Sequence, residues 1–220
     1  MKYFLLVAVI WAGCQHLLSA QSHFLMQSQQ RQEIKLSYGL RPNMAFQAAY
    51  ARQWPGKLPL ALSVGLETGL IQPLSENYAL HFGGQLALFK KRGWLVANEL
   101  LVETGHLESK IYKAKAWEIQ ELVTAGWYGR RSGVAIIAGF TQNLGTHLAH
   151  SDFYRNTGYA DAKDGWYGGL GGYWQAGLRL NQNLWQHLNV SLQMSYAQST
   201  KGYSIGPLPA LVQLGAGWRW

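Results

Sequence analysis

A two-residue alternation of side-chain character, sustained over long runs, is the feature of this sequence that most constrains its fold. Between residues 166 and 180 the even positions are mostly apolar, whereas the odd positions are small or polar. Residues 184–198 and 208–220 alternate in the same way. In a β-strand this pattern puts the two sets on opposite faces. The runs exceed the roughly 5–6 residues of an average strand and reach the roughly 9–11 needed to cross a membrane obliquely.

The composition agrees with strands that face lipid rather than water. Charged residues make up 14% of the 220-residue chain, against roughly 25% in soluble domains. Aromatic residues reach 13%, with 10 Trp and 12 Tyr, and there are 25 Gly. The mean hydropathy of -0.11 argues against a bundle of membrane-spanning helices. Abundant Trp, Tyr and Gly without a long apolar run indicate an all-β protein, a transmembrane β-barrel.

The pattern predicts ten strands that form one closed, antiparallel, up-and-down barrel over residues 32–220. An even number of strands brings both chain termini to the same side of the membrane. The hairpin at 40–44 is the weakest of these predictions, and without it the barrel would have eight strands. The predicted strands are 32–40, 44–52, 58–70, 77–90, 94–104, 115–128, 133–143, 166–180, 184–198 and 208–220.

The connections between these strands alternate in length, as expected for short periplasmic turns and longer outer loops. The short turns carry Gly, Asn or Pro, which favour tight changes of direction. They are predicted at 55–57, 91–93, 130–133 and 181–183. The outer loops are predicted at 71–76, 105–114, 144–165 and 199–207.

The N-terminal segment has the pattern of a secretory signal peptide. Lys2 precedes a short apolar stretch, and Ala20 offers a small residue for cleavage. We therefore expect residues 1–20 to be removed and 21–31 to form a polar periplasmic leader. The alternative is a lipoprotein signal in which Cys14, the single cysteine of the chain, is lipidated.

The C-terminus carries the pattern Gln213, Gly215, Trp218 and Trp220, a polar residue, a glycine and two aromatics at fixed spacing. This pattern resembles the terminal signal of small bacterial outer-membrane β-barrel proteins. The resemblance implies recognition by the barrel assembly machinery and a location in the outer membrane of a Gram-negative cell envelope.

Charged side chains are predicted to face the interior, where they would form a polar network in a lumen narrow enough to be filled by side chains. Threading the strands up and down places the acidic members mostly in the outer half and the basic members in the periplasmic half. The predicted network consists of Lys35, Glu67, Glu99, Glu103, Glu118, Arg179 and Arg219.

The longest predicted outer loop contains a cluster that resembles the parts of a hydrolase or metal site. A hydroxyl, two imidazoles and a carboxylate could supply a nucleophile, a base and an orienting group. The residues are His147, His150, Ser151 and Asp152. They are weak candidates because loops commonly collect these residue types, and the sequence assigns no catalytic residue, cofactor or metal.

The net charge of +8 is concentrated on the predicted short turns. Basic groups next to a membrane favour anionic head groups, so lipid of the outer membrane is the expected partner, with an acidic envelope protein as the alternative. Nucleic acid is not expected, because no binding module or shared compartment supports it.

The sequence thus predicts a non-enzymatic barrel with a structural or interaction role at the cell envelope, which includes the role of a subunit in a larger outer-membrane complex. Two alternatives stay open: an outer-rim hydrolase acting on lipid A or peptides, and a narrow channel. The fold alone does not decide among them.

Overall fold

The computed structural model describes residues 30–40, 44–69, 76–156, 161–168, 171–200 and 210–220. The predicted signal peptide, Cys14 and nearly all of the predicted leader lie outside these residues, so what the sequence predicts for them stays a prediction. Among the described residues, no helix is long and apolar enough to cross a bilayer.

Ten of the described strands form one closed antiparallel sheet in which the first strand pairs with the last. A short additional strand, β8, pairs with β7 alone and lies outside the closed ladder. The predicted ten-stranded barrel is confirmed, and the eight-stranded alternative is wrong because the first two strands pair along their length. The elements are β1 Gln32–Leu40, β2 Met44–Trp54, β3 Leu60–Gly69, β4 Asn77–Lys91, β5 Trp94–Glu108, β6 Tyr112–Tyr128, β7 Ser132–His150, α1 Asp152–Asn156, β8 Gly165–Tyr167, β9 Gly172–Asn183, β10 Leu188–Ser199 and β11 Ala210–Arg219.

The predicted strand at 166–180 has the wrong bounds. The structure replaces it with the three-residue β8 and a separate strand, β9, which starts at Gly172. Gly171, just before β9, has a φ of 100°. This left-handed conformation interrupts an extended chain and is accessible to glycine at little cost. In the sequence, Gly171 fits the alternating pattern as a small residue, but in the structure it interrupts the strand.

The turn predicted at 181–183 is also wrong. Asn181 pairs with Gly133 across the β7–β9 ladder, and the backbone N–H of Asn183 still donates to the carbonyl of Arg131. Pairing with β7 thus holds turn-favouring residues in a strand, and the chain turns at 184–187 instead.

Two of the predicted outer loops contain strand residues. The segment predicted as a loop at 105–114 is a hairpin with its turn at 109–111, and β7 continues as far as His150. Leu144 has no partner on β6, because Trp117 pairs with Gly145 while the next residue pairs with Asn143. Such a bulge shifts the alternation by one position. The sequence pattern therefore ends at the bulge although the strand does not.

The faces of the strands follow hairpin register rather than one rule for the whole chain. Odd-numbered side chains point inward on β1 to β3, on β4 as far as its bulge at Leu88, on β5 and on β9 to β11, whereas on β6 the inward set is even-numbered. The reason is the β5–β6 register, in which Glu99 lies opposite Leu122. A one-residue offset exchanges the two faces of a strand. Glu118 therefore points inward although its number is even.

The outer surface of the barrel is apolar and ends in tryptophans at both rims. Trp54, Trp94 and Trp127 are exposed at the rim that holds residues 30 and 220, the described ends of the chain, which we call the inner rim. Trp117, Trp166 and Trp174 are exposed toward the other, outer rim. Two aromatic belts that flank an apolar band are typical of a barrel that spans a bilayer.

Glu121 is an exception on this apolar surface. It points outward from β6 between Trp117 and Trp127, and its Oε1 accepts a hydrogen bond of 2.7 Å from Nδ2 of Asn98 on β5. The bulge opposite Trp117 does not turn Glu121 inward. The amide of Asn98 therefore supplies part of the hydrogen bonding that lipid cannot offer.

Replacing Val64, in the middle of β3 on the outer face, by Arg should lower the free energy of unfolding by about 2–4 kcal/mol, because a guanidinium would enter hydrocarbon. Replacing Glu121 and Asn98 together by Leu should raise it. Both changes can be measured by urea unfolding of the protein in lipid vesicles, with Val64→Leu as the control. A neutral Val64→Arg variant would show that this face does not contact lipid.

Candidate functional site: the filled lumen and the outer rim

All seven side chains that the sequence assigned to the lumen lie on the inner face of the barrel. Each is at most 5% exposed. Their strands bring them into three groups along the barrel axis, a central pair, a basic group near the inner rim and an acidic group toward the outer rim. The seven are Lys35, Glu67, Glu99, Glu103, Glu118, Arg179 and Arg219.

Glu99 on β5 is the centre of the interior network. Its Oε1 accepts hydrogen bonds from Nε2 of Gln85 at 2.7 Å, from Oγ1 of Thr124 at 3.0 Å and from Nη1 of Arg179 at 3.0 Å. Nε of Arg179 also donates to Oε1 of Gln193 at 2.9 Å. Strands β5 and β9 are not neighbours in the ladder, because β6 and β7 lie between them. The ion pair between Glu99 and Arg179 therefore crosses the lumen.

Two charged side chains of β1 lie across glycines of β11 near the inner rim. Glu33 forms an ion pair with Arg219, with 3.4 Å between Oε2 and Nε. A Cβ at Gly215 would lie 2.6 Å from Cε of Lys35, and a Cβ at Gly217 would meet the carboxylate of Glu33. Real Cβ contacts are not this short, so these glycines make room for the β1 side chains.

The predicted assembly signal divides between the two faces of β11. Gln213 and Gly215 point inward, and Nε2 of Gln213 donates to Oγ of Ser37 at 3.3 Å. Trp218 and Trp220 point outward and are exposed near the inner rim. The motif residues therefore have packing roles in the folded barrel, while their recognition during assembly stays a prediction.

Acidic side chains gather around one imidazole toward the outer rim. Nδ1 of His81 lies 2.7 Å from Oε2 of Glu103, and its Nε2 lies 3.6 Å from Oε2 of Glu67. Glu118 accepts a hydrogen bond of 3.2 Å from Nδ2 of Asn143. Within the part of the chain that the structure describes, no group of three or more His, Cys, Asp or Glu is arranged to hold a metal ion.

Apolar side chains occupy the interior above and below this polar layer. Near the inner rim, Leu95 and Tyr128 pack with five buried alanines. Toward the outer rim, Leu107, Tyr112 and Leu148 pack with Ala114. Apolar clusters thus lie toward both ends of the interior, and the one near the inner rim lies beside the ion pair of Glu33 and Arg219.

Replacing Arg179 by Met should destabilise the barrel by about 3–5 kcal/mol, because it leaves the carboxylate of Glu99 buried without its cationic partner. Replacing both residues, by Glu99→Gln with Arg179→Met, should cost clearly less. Urea unfolding in vesicles measures both. Equal costs for the single and double variants would contradict an ion pair across the lumen.

The four residues proposed for an outer-rim site do not form one group. His147 points outward from β7 with its ring 5.3 Å from that of Trp166. Oγ of Ser151 donates to the carbonyl of Lys110 and accepts from the backbone N–H of Tyr154, so it caps helix α1. Asp152 is the first residue of that helix.

His150 has a carboxylate partner that the sequence did not identify. Its Nδ1 lies 3.0 Å from Oδ1 of Asp164, and its ring stacks on Tyr154 with 5.2 Å between the centroids. Asp164 also accepts from the backbone N–H of His150 at 2.8 Å and contacts the guanidinium of Arg155. No hydrogen bond joins two of His147, His150, Ser151 and Asp152 among the described residues. Asp164, fourteen residues after His150 in sequence, ties the outer loop to the end of β7.

The contacts of Asp164 make this connection sensitive to pH. Hydrogen bonds from the His150 backbone N–H, the Arg155 guanidinium and the His150 imidazole hold the pKa of the carboxyl well below its ordinary value of 3.8. A lowered pKa in the folded state means that the contacts stabilise the loop above the ordinary pKa and are lost as the pH falls through the lowered one.

Amide exchange at 150–156, corrected for its intrinsic pH dependence, should therefore rise between about pH 6 and about pH 2. An Asp164→Asn variant should exchange rapidly at both pH values. Protection that is independent of pH in the unmodified protein would show that Asp164 does not hold this segment.

The closed ladder, the apolar exterior with two aromatic belts and the polar interior define the class of this protein: it is a small transmembrane β-barrel of the bacterial outer-membrane type. No family model and no curated protein matches the chain.

Solved structures that resemble the chain are outer-membrane barrels. They include the KdgM porin, with 4% sequence identity, coverage of 86% of this chain and 99% of that one, and a TM-score of 0.42. The N-terminal β-barrel domain of OprF from Pseudomonas aeruginosa has 12% identity, coverage of 88% and 100%, and a TM-score of 0.39. The NanC porin has 9% identity, coverage of 85% and 100%, and a TM-score of 0.36. Because these scores are low, the class assignment depends on the ladder and the faces of the chain itself.

Proposed function

We propose that the protein is a closed, non-conducting barrel of the outer membrane with a structural or interaction role at the cell envelope. The observation that carries this proposal is the ion pair between Arg179 and Glu99, at 3.0 Å, which joins non-adjacent strands across the lumen. A side-chain bridge of this kind occupies the space that an aqueous pore would need.

The layers on either side of the bridge support the same conclusion. The Leu95 and Tyr128 cluster lies in the interior near the inner rim, and the Leu107, Tyr112 and Leu148 cluster lies toward the outer rim. A charge that passed through the lumen would have to pass both apolar clusters, beside which it lacks polar partners. The interior is built to be filled, as in other small barrels.

The orientation in the membrane follows from the turns. The described connections at 55–59, 92–93, 129–131 and 184–187 are short and share a rim with the described ends of the chain. Short turns are typical of the periplasmic side. The inner rim would then be periplasmic, and the loop held by Asp164 would face the cell exterior, where it offers a surface to a partner in the envelope.

The outer rim supports an enzymatic role less well than a structural one. The pair of His150 and Asp164 has the geometry of a base with an orienting carboxylate. However, the hydroxyl next to it in sequence, on Ser151, is engaged as a helix cap. Arg155 also contacts Asp164, and Tyr154 stacks on His150, so both members of the pair help to hold the loop.

Planar-bilayer recordings of the purified protein should show no stable open level. Replacing Glu67, Glu103 and Glu118 together by Gln should change the thermal midpoint for loss of the folded, heat-modifiable form more than it changes permeability, because these groups sit in a filled interior rather than a pore. A steady, cation-selective current that the triple variant abolishes would overturn the proposal in favour of a narrow channel.

A further inference from the structure

Three consecutive turns of the inner rim carry a dense group of exposed basic side chains, which we call the basic collar. The turns follow β2, β4 and β6, and the six strands from β2 to β7 are successive neighbours in the sheet. No acidic residue occurs at 51–60, 88–96 or 128–134. The collar consists of Arg52, Lys57, Lys90, Lys91, Arg92, Arg130 and Arg131, all exposed.

The collar covers one side of the rim rather than its whole circumference. The fourth short turn on this rim, at 184–187, reads Leu-Trp-Gln-His and contains no Lys or Arg. The cations are therefore concentrated beside β2 to β7, opposite the β9–β10 turn. A one-sided concentration of charge raises the local potential more than the same charge spread evenly.

The collar lies at the depth of the inner aromatic belt. Trp54, Trp94 and Trp127 are exposed at the ends of the strands that lead into or out of these turns. Tryptophan side chains favour the head-group region of a bilayer. The guanidinium of Arg52 lies 5.4 Å above the ring of Trp54. The Arg52 guanidinium therefore lies at the level of the head groups rather than beyond them.

We propose that the basic collar binds the phosphate groups of anionic phospholipids in the leaflet next to the inner rim. Members on the strands themselves, Arg52 and Lys91, lie opposite the outward-facing Leu62 and Trp94 and are exposed at the lipid-facing edge of the rim. A soluble acidic protein that approached along the barrel axis would meet the turns but not these strand positions. The arrangement therefore favours a lateral ligand, and phospholipid phosphate is the anion that surrounds a barrel at this depth.

The proposal can be tested by native mass spectrometry of the full-length purified barrel with phosphatidylglycerol and phosphatidylcholine of the same acyl chains. At low salt we expect the unmodified protein to bind phosphatidylglycerol about fivefold more tightly or better, and high salt should reduce this preference. Changing Lys91, Arg130 and Arg131 to Gln should reduce the ratio to within about twofold.

A matched variant controls for total charge. Changing Lys110, Lys115 and Lys163, exposed residues toward the outer rim, to Gln removes the same charge and should leave the preference intact. Equal loss in both variants, or no preference in the unmodified protein, would overturn the proposal, and binding of polyglutamate that depends on the collar would then favour an acidic protein instead. The inference requires that the barrel spans the membrane, but a conducting lumen would overturn the proposed function without affecting the lipid ratio.

Discussion

Backbone hydrogen bonding in a medium without water is the constraint on which the whole structure depends. Every N–H and C=O that enters hydrocarbon needs a partner in the protein, so a spanning sheet must close on itself. Here closure is made by β1 and β11, which pair from Glu33↔Arg219 to Leu40↔Val212. Once ten strands are closed, the width of the interior is fixed. The exterior then has to suit lipid, and the interior has to be filled by the side chains that point inward.

The filling of the interior combines two kinds of packing. Apolar clusters lie toward both ends, while Glu99, Arg179 and their amide and hydroxyl neighbours form hydrogen bonds with one another between them. A buried ion pair adds little net stability compared with a well-packed apolar pair, but an incomplete one is costly. The charges in the lumen therefore restrict the fold more than they stabilise it. They are tolerated in the arrangement in which Arg179 reaches across the lumen to Glu99.

The sequence predicted the parts of the fold that depend on local alternation. The number of strands, their antiparallel order and the inward position of residues such as Lys35 and Arg179 follow from a period of two. Three features do not follow from a period of two and were missed. Gly171 breaks a run because of its φ angle, the Leu144 bulge hides the continuation of β7, and Asp164 reaches His150 through the folding of a loop. None of the three leaves a periodic signal in the sequence.

The glycines of β11 restrict the register in which this closing strand pairs with β1. A register shifted by two residues between these strands would keep every inward side chain inward. The alternation of the two faces therefore does not disfavour that register. Lys35 lies over Gly215 and Glu33 over Gly217. A shift in one direction would push Lys35 onto the side chain of Gln213, and a shift in the other would push Glu33 onto Arg219. The two glycines therefore specify the register in which β1 and β11 pair, and with it the way in which the barrel closes.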